Sequence, residues 1–185
     1  MRTLFFLLRF AVLSLLCGLA LAALAADAGT IQQVTGNVTI TSADNVTRKA
    51  APKEKIQSGD TIATAAKSET FIKMTDDSSV VLRPNTQLQL SEFKYDKTPS
   101  DSSLLRLVRG TARMVTGLTG RRHPANVRVQ TLTATIGIRG TDFEVAVIPE
   151  DTPEARAGGY DFVHDGTTNI RLTQMDRSLD VKKNQ

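Results

Sequence analysis

The side chains able to do covalent or metal chemistry are few in this chain. Of 185 residues, His123 and His164 are the only histidines, Cys17 is the only cysteine, and tryptophan is absent. A multi-histidine metal centre has too few ligands, and a disulfide framework or thiol nucleophile has no cysteine beyond Cys17. No G-x-S-x-G elbow, H-E-x-x-H helix or phosphate-binding glycine loop occurs. Asp76 and Asp77 form a carboxylate pair, as glycoside hydrolysis requires. Neighbours on a strand point to opposite faces, however, and in a turn both face water. With Ser78 they also offer oxygens to calcium, but without the alternating spacing of a known calcium loop. His164, followed by Asp165 and Gly166, reads as a turn. The expectation is therefore no catalytic residue, no metal and no cofactor.

Charge is more informative. No acidic residue lies between Asp101 and Asp142, whereas Arg106, Arg109, Arg113, Arg121, Arg122, Arg128 and Arg139 all do. Asp142, Glu144, Glu150, Asp151, Glu154, Asp161 and Asp165 then follow, interrupted only by Arg156. Two arrangements fit. The arginines can form a basic surface for anionic envelope polymers or an acidic protein face, since the planar guanidinium binds carboxylate or phosphate through two parallel bonds. Alternatively, basic and acidic strands pair across a sheet. Arg121, Arg122 and His123, between Gly120 and Pro124, make the best case for an exposed binding turn, with Arg113 and Arg128 as further candidates.

The elements that must position these residues are preceded by a distinct N-terminus. Arg2 and Arg9 open it, residues 10–24 are almost unbroken in apolar character, and Ala23-Leu24-Ala25 supplies the small-x-small pattern of a cleavage site. That is the layout of a secretory signal peptide over residues 1–25, so the mature chain is expected to be periplasmic or secreted. Leu16 before Cys17 speaks against lipidation there. The whole chain carries 23 Lys+Arg against 19 Asp+Glu. Without Arg2 and Arg9 the balance is too even to suggest nucleic acid as a partner. No later apolar run approaches the ~18–20 residues of a membrane span.

Beyond residue 25, Thr, Val and Ile make up 44 of 160 residues. Such β-branched residues suit a pleated surface. Alternation marks Val34, Gly36, Val38 and Ile40; Leu88 and Leu90; Val127 and Val129; and Phe143, Val145 and Val147. Phe71–Met74 and Val80–Leu82 flank a polar break and read as a hairpin. Leu104, Leu105 and Val108 sit at helical spacing but fit a strand equally well. Gly36, Gly110, Gly140 and Gly166 each open an alternating run, where positive φ would turn the chain sharply into the next strand. Residues 43–58, 94–103 and 149–159 read as loops. The expected fold is all-β, a short-stranded two-layer sandwich or an irregular solenoid-like module. Its divisions are an N-terminal hairpin and loop (26–58), a β domain (59–148), and a loop, hairpin and frayed tail (149–185).

Four stretches carry a resemblance. Ser58–Ile62, Asp77–Leu88, Arg109–Ala112 and above all Ile136-Gly137-Ile138-Arg139-Gly140-Thr141-Asp142-Phe143-Glu144-Val145 resemble the FecR domain family, over about residues 59–148. Gly137, Arg139, Gly140, Thr141 and Phe143 are the family motif, and the bottom-up reading makes them structural, with Arg139 bonding nearby carbonyls or pairing with Asp142 or Glu144. The chain departs from the family pattern at Asp77-Ser78-Ser79, Thr64-Ala65 and Thr131-Leu132, losing two turn glycines and a proline. The resemblance implies an extracytoplasmic β-rich module. The best-known members relay an outer-membrane signal to a sigma factor through a cytoplasmic segment and a membrane helix. A cleaved leader would leave neither, so that relay is not carried over. The expected function is a non-enzymatic binding or scaffolding module of the cell envelope, with an unknown envelope protein or an anionic glycan as partner. The alternatives are a peptidoglycan or anionic-polymer binder using the Arg106–Arg139 stretch, or a component of extracytoplasmic signalling.

Overall fold

The period-2 patterning becomes strands with one buried and one open face. Glu69–Met74 and Ser79–Leu82 alternate without a break between half-buried and buried residues. The structure, a computed structural model, describes residues 26–153, 155–175 and 177–184. The leader expected over residues 1–25 lies outside the described residues. In chain order come β1 (Asp27–Thr35), β2 (Val38–Thr41), β3 (Thr47–Lys49), β4 (Lys55–Gln57), β5 (Thr61–Thr64), β6 (Glu69–Met74), β7 (Ser79–Leu82), β8 (Gln87–Lys94) and β9 (Ser102–Val115). Helix α1 (Leu118–Arg122) and a 3-10 turn (Pro124–Asn126) lead to β10 (Val127–Gln130), β11 (Ala134–Ile148), β12 (Gly158–Leu172) and β13 (Ser178–Lys182). The fold is all-β, as expected. Three strands are much longer than the sequence pattern suggested, because each passes from one layer into the other.

Pairing defines the two layers. The front layer runs β3-β2-β5-β8, the first half of β9, β10, the first half of β11, the second half of β12, and β13. The back layer runs β4-β1-β6-β7, the second half of β9, the second half of β11, and the first half of β12. Strands that switch sheets at a kink make the corners of such packings. One continuous core extends from Ala28 to Val181, with Ile31, Ile40, Ile72, Leu107, Val129, Phe143 and Val163 fully buried. The β9–β10 pair is parallel, because α1 and the 3-10 turn carry the chain from the end of β9 in the back layer to the front.

The predicted positive φ is present at all four glycines: Gly36 (74°), Gly110 (83°), Gly140 (61°) and Gly166 (85°). Each stands where the chain changes layer. A kink there breaks the hydrogen-bond ladder and strands a buried N–H, which must find another acceptor. Side-chain hydroxyls supply it. Asn37 N–H donates to Ser68 Oγ (2.9 Å), Thr111 N–H to Thr86 Oγ1 (2.9 Å) and Thr141 N–H to Thr116 Oγ1 (3.1 Å). Asn85, also left-handed at φ 58°, is followed by Thr86, whose N–H donates to Thr64 Oγ1 (2.9 Å). Three of the four glycine corners thus share a device: glycine allows the bend, and a serine or threonine hydroxyl from a neighbouring segment receives the freed donor.

Some elements differ from expectation. The stretch with helical spacing, residues 102–108, is part of β9, and the helix lies further on at Leu118–Arg122. Residues 43–58, read as a loop, contain the three-residue strands β3 and β4. In the β6–β7 turn the left-handed residue is Asp77 (φ 65°), one position before the serine set against the family glycine. His164 lies within β12 rather than in a turn. At the tail, Asn184 N–H donates to Val163 O (2.9 Å).

Asp161 ties the two halves of β12 across the sandwich interior. Its Oδ2 accepts a hydrogen bond from Thr168 Oγ1, while Oδ1 is buried without a partner. Burial pushes its pKa above the ordinary carboxylate value, and the Thr168 bond offsets this only in part. A carboxylate with a raised folded pKa favours the fold only when protonated. The penalty is absent below its unfolded pKa near ~3.9 and complete above the folded pKa. Asp161→Asn is therefore expected to stabilise the protein near pH 7, by about 1 kcal/mol or ~2–4 °C in Tm. The gain should shrink toward zero as the melting series approaches pH 3.5. A gain that does not change with pH would refute the charge argument.

Candidate functional site

The outer faces of the two layers treat their arginines differently. On the back layer, Arg113 grips Asp142 through two bonds (Nε to Oδ1 3.0 Å, Nη2 to Oδ2 2.8 Å). The Arg113 guanidinium holds the Asp142 carboxyl below the usual carboxylate range, outweighing the effect of burial. Arg83 reaches Glu69 at 3.2 Å and Glu144 at 3.9 Å. His164 Nε2 lies 4.0 Å from Glu144 Oε2, and its ring packs edge-on to Phe162. Cross-strand neutralisation, one of the two arrangements open from sequence, thus describes this face. Being partly exposed, the Arg113–Asp142 pair contributes only ~0.5–1 kcal/mol.

The front layer is the opposite case. Arg106, Arg128, Arg139 and Arg171 occupy outward positions on four successive strands, β9, β10, β11 and β12, and all are exposed. The side chains of Arg106, Arg139 and Arg171 make no hydrogen bond or ion pair among the described residues, and the side-chain contact of Arg128 is Nε to Ala125 O at 3.2 Å. The expected pairing of Arg139 with Asp142 or Glu144 does not form, because those acids lie beyond the Gly140 kink on the other layer and face Arg113 and Arg83.

Register fixes the layout. One row across the sheet reads Arg106, Gln130, Thr135, Arg171. The next reads Arg128, Gly137, Asn169, Asp180, and a third Arg139, Thr167, Lys182. All of these except Arg106 and Lys182 line a groove of about 570 Å³ walled on one side by Pro124 and Ala125. Gly137 is its floor. Asp180 is the only acid among the lining residues, and Asn169 Nδ2 donates to its Oδ1 at 2.7 Å.

Of the residues singled out from sequence, Arg128, Gly137 and Arg139 meet in this groove. Arg121 and Arg122 are exposed in the last turn of α1, and half-buried His123 caps its end; none of the three lines the groove. Gly140, Thr141 and Phe143 form the corner and core below. Arg171, Asn169 and Asp180 were not singled out: they lie in the strands after the acidic loop, and only the β11–β12–β13 register brings them beside Gly137. The Asp76-Asp77 pair serves as a staple. Buried Asp76 accepts from Ser78 N–H (3.0 Å) and Ser78 Oγ (2.6 Å), and its carbonyl accepts the Leu118 N–H (2.6 Å) that starts α1. Among the described residues no cluster of His, Cys, Asp and Glu is arranged to hold a metal, and no helix is long and apolar enough to cross a membrane.

Fold and face together define an all-β module with glycine-threonine corners and one open cationic face. The chain belongs to the FecR protein family, whose model matches residues 60–157. The match ends where β12 begins, so the family portion supplies Arg128, Gly137 and Arg139, and the strands after it supply the far wall. Among solved structures, two crystal structures of a candidate anti-sigma factor from Parabacteroides distasonis share the fold, at 17% and 18% identity and a TM-score of 0.52. The alignment covers 66% of this chain and 51% of theirs, so the chain spans about half the length of that protein. A structure described as a cell surface anchoring domain aligns at 24% identity over 34% of this chain and 82% of its own, with a TM-score of 0.33. No protein of curated function matches the chain.

Proposed function

We propose that this protein is a non-enzymatic binding module of the cell envelope, working outside the cytoplasmic membrane and holding an anionic partner on the outer face of its front layer. The observation that carries the reading is the contrast between the two faces. Arg113 and Arg83 of the back layer are neutralised by Asp142, Glu69 and Glu144, while Arg128, Arg139 and Arg171 on the outer face of the front layer form no ion pair among the described residues and line a polar groove. Asp76 and Asp101 favour the non-enzymatic reading, because their lone pairs are taken up by backbone and hydroxyl donors. Asp101, for example, accepts the Asp96 and Thr98 N–H groups at 2.8 and 3.1 Å. Burial would raise its pKa, but these backbone donors and the Thr98 hydroxyl outweigh that and hold it below the ordinary value. The periplasmic or secreted location rests on the leader pattern of residues 1–25. A role in extracytoplasmic signalling is the second reading, favoured by the fold shared with the candidate anti-sigma factor.

Retention on purified cell-wall sacculi tests the first reading. The protein should be retained at low salt and released near 1 M salt, where the screening length falls to ~3 Å. No retention, or retention indifferent to salt, would overturn it.

A further inference from the structure

We infer that the groove over Gly137 is a seat for an oxyanion-bearing glycan, with a sugar carboxylate or phosphate held among Arg128, Arg139 and Arg171. The inference rests on the reading that the front face is the binding face, and adds the site and the ligand class.

Position 137 lies between the three arginines. Arg128 is its direct cross-strand partner. Arg139 stands two residues along the same strand, ~6.8 Å away. Arg171 pairs with Thr135, which places it diagonally from Gly137, at about 7–8 Å. Each arginine side chain is long enough to bring its planar fork over the glycine, where one oxyanion can take parallel N–H bonds from two of them.

Nothing in the fold requires glycine there. Gly137 is not among the residues with positive φ, and a Cβ built on it would meet nothing closer than Asn169 O at 3.8 Å. A β-branched residue would suit this strand position better. What glycine provides is room above the sheet, within reach of three arginines that form no ion pair among the described residues.

The remaining lining selects the ligand class. Gln130, Thr135 and Thr167 present outward amide and hydroxyl groups with no hydrogen bond among the described residues. Such groups match a chain of sugar hydroxyls on either side of the anion. Single-stranded nucleic acid would call for aromatic platforms, and no aromatic residue lines the groove. A protein partner would call for large apolar anchors such as aromatic rings, whereas the outward lining here offers only Pro124 and Ala125 beside its polar and charged residues. Asp180 sits at the far end of the central row from Arg128 and repels anions there, which confines the oxyanion to the β10–β11 side.

Isothermal titration calorimetry at low salt tests this, with four probes: short oligogalacturonate, phosphomannan oligosaccharide, short-chain polyphosphate and polyglutamate. One or both glycans should bind, and the stronger of the two identifies carboxylate or phosphate as the oxyanion. Gly137→Val and Arg171→Gln should each weaken that binding about tenfold or more, with the melting temperature of Gly137→Val no lower than that of the unaltered protein. Arg121→Gln, outside the groove, should leave it intact. Polyphosphate or polyglutamate binding as tightly as the better glycan would reduce the site to a general cationic face and overturn the inference. So would an Arg121→Gln loss equal to that of Arg171→Gln. If neither glycan binds while sacculi still retain the protein in a salt-dependent way, the glycan seat is refuted and the broader envelope-binding reading stands.

Discussion

Alanine at position 110 is expected to cost the fold about 3–5 kcal/mol, a large share of the ~5–15 kcal/mol typical of a domain. Two penalties combine. The backbone at Gly110 has φ 83°, a conformation that costs an L side chain ~1–2 kcal/mol. A Cβ there would also lie 2.4 Å from Thr86 Cα and 2.7 Å from Asn85 O, so the neighbouring corner would have to move. That movement would pull Thr86 Oγ1 away from the Thr111 N–H it receives, leaving a partly buried donor unsatisfied. Gly140→Ala is the internal control. Its φ is 61°, yet nothing lies within 4 Å of the added carbon, so only the conformational cost of ~1–2 kcal/mol applies. Thermal melts should show a fall of ~10 °C or more for Gly110→Ala and only a few degrees for Gly140→Ala. Equal falls would show that stacking of the corners is not what the glycine protects.

The same corners show how far the sequence could be read. Gly36, Gly110, Gly140 and Gly166 announced their turns because only glycine takes positive φ at little cost, and alternation beyond each one marked the strand that follows. The hydroxyl partners were hidden. Ser68 and Thr116 lie 31 and 25 residues from the N–H groups they receive, and local pattern carries no trace of that pairing. Strands β3 and β4 escaped notice for another reason. Each has three mostly polar residues with one or no buried position, too little for a period to appear. Helix α1 was equally silent, because five residues do not complete two turns of a periodic face.

Charge shows the limit most plainly. The acid-free run containing seven arginines was visible, but its division between two faces was not. Arg113 and Arg139 belong to one run in sequence; in space they stand on opposite layers because β9 and β11 each cross at a glycine. Which arginine finds a carboxylate is therefore decided by the corners. Arg171, outside the run and after the acidic loop, joins Arg128 only through the register of β12 on β11. Composition along a chain cannot report such a juxtaposition, since each row of the groove joins a β11 residue to a β12 residue 28 or more positions further on.

The motif around Gly140 can be separated from the groove by one substitution in the core. Phe143 is fully buried, pairs across the back layer with Met114 and Val163, and is the largest of the fully buried side chains. The Gly140 bend and the bulge between Arg139 and Asp142 set its direction. After them, Thr141 and Phe143 share the inward face, while Asp142 and Glu144 face out toward arginines. Phe143→Ala removes most of a ring at the centre of the sandwich, and the backbone around it, hydrogen-bonded on both sides, cannot close the space. The expected loss is ~3–5 kcal/mol, or a Tm lower by ~6–20 °C. Phe143→Leu keeps most of the volume and should lose about half as much or less. Both variants should keep the strand spectrum in far-ultraviolet circular dichroism below their melting points and still be retained by sacculi there, because the arginines are placed by strand register rather than by the ring. Retention lost in the folded Phe143→Leu protein would mean that the core corner from Gly140 to Phe143, and not the strand register of the arginines above it, governs the contact with the partner.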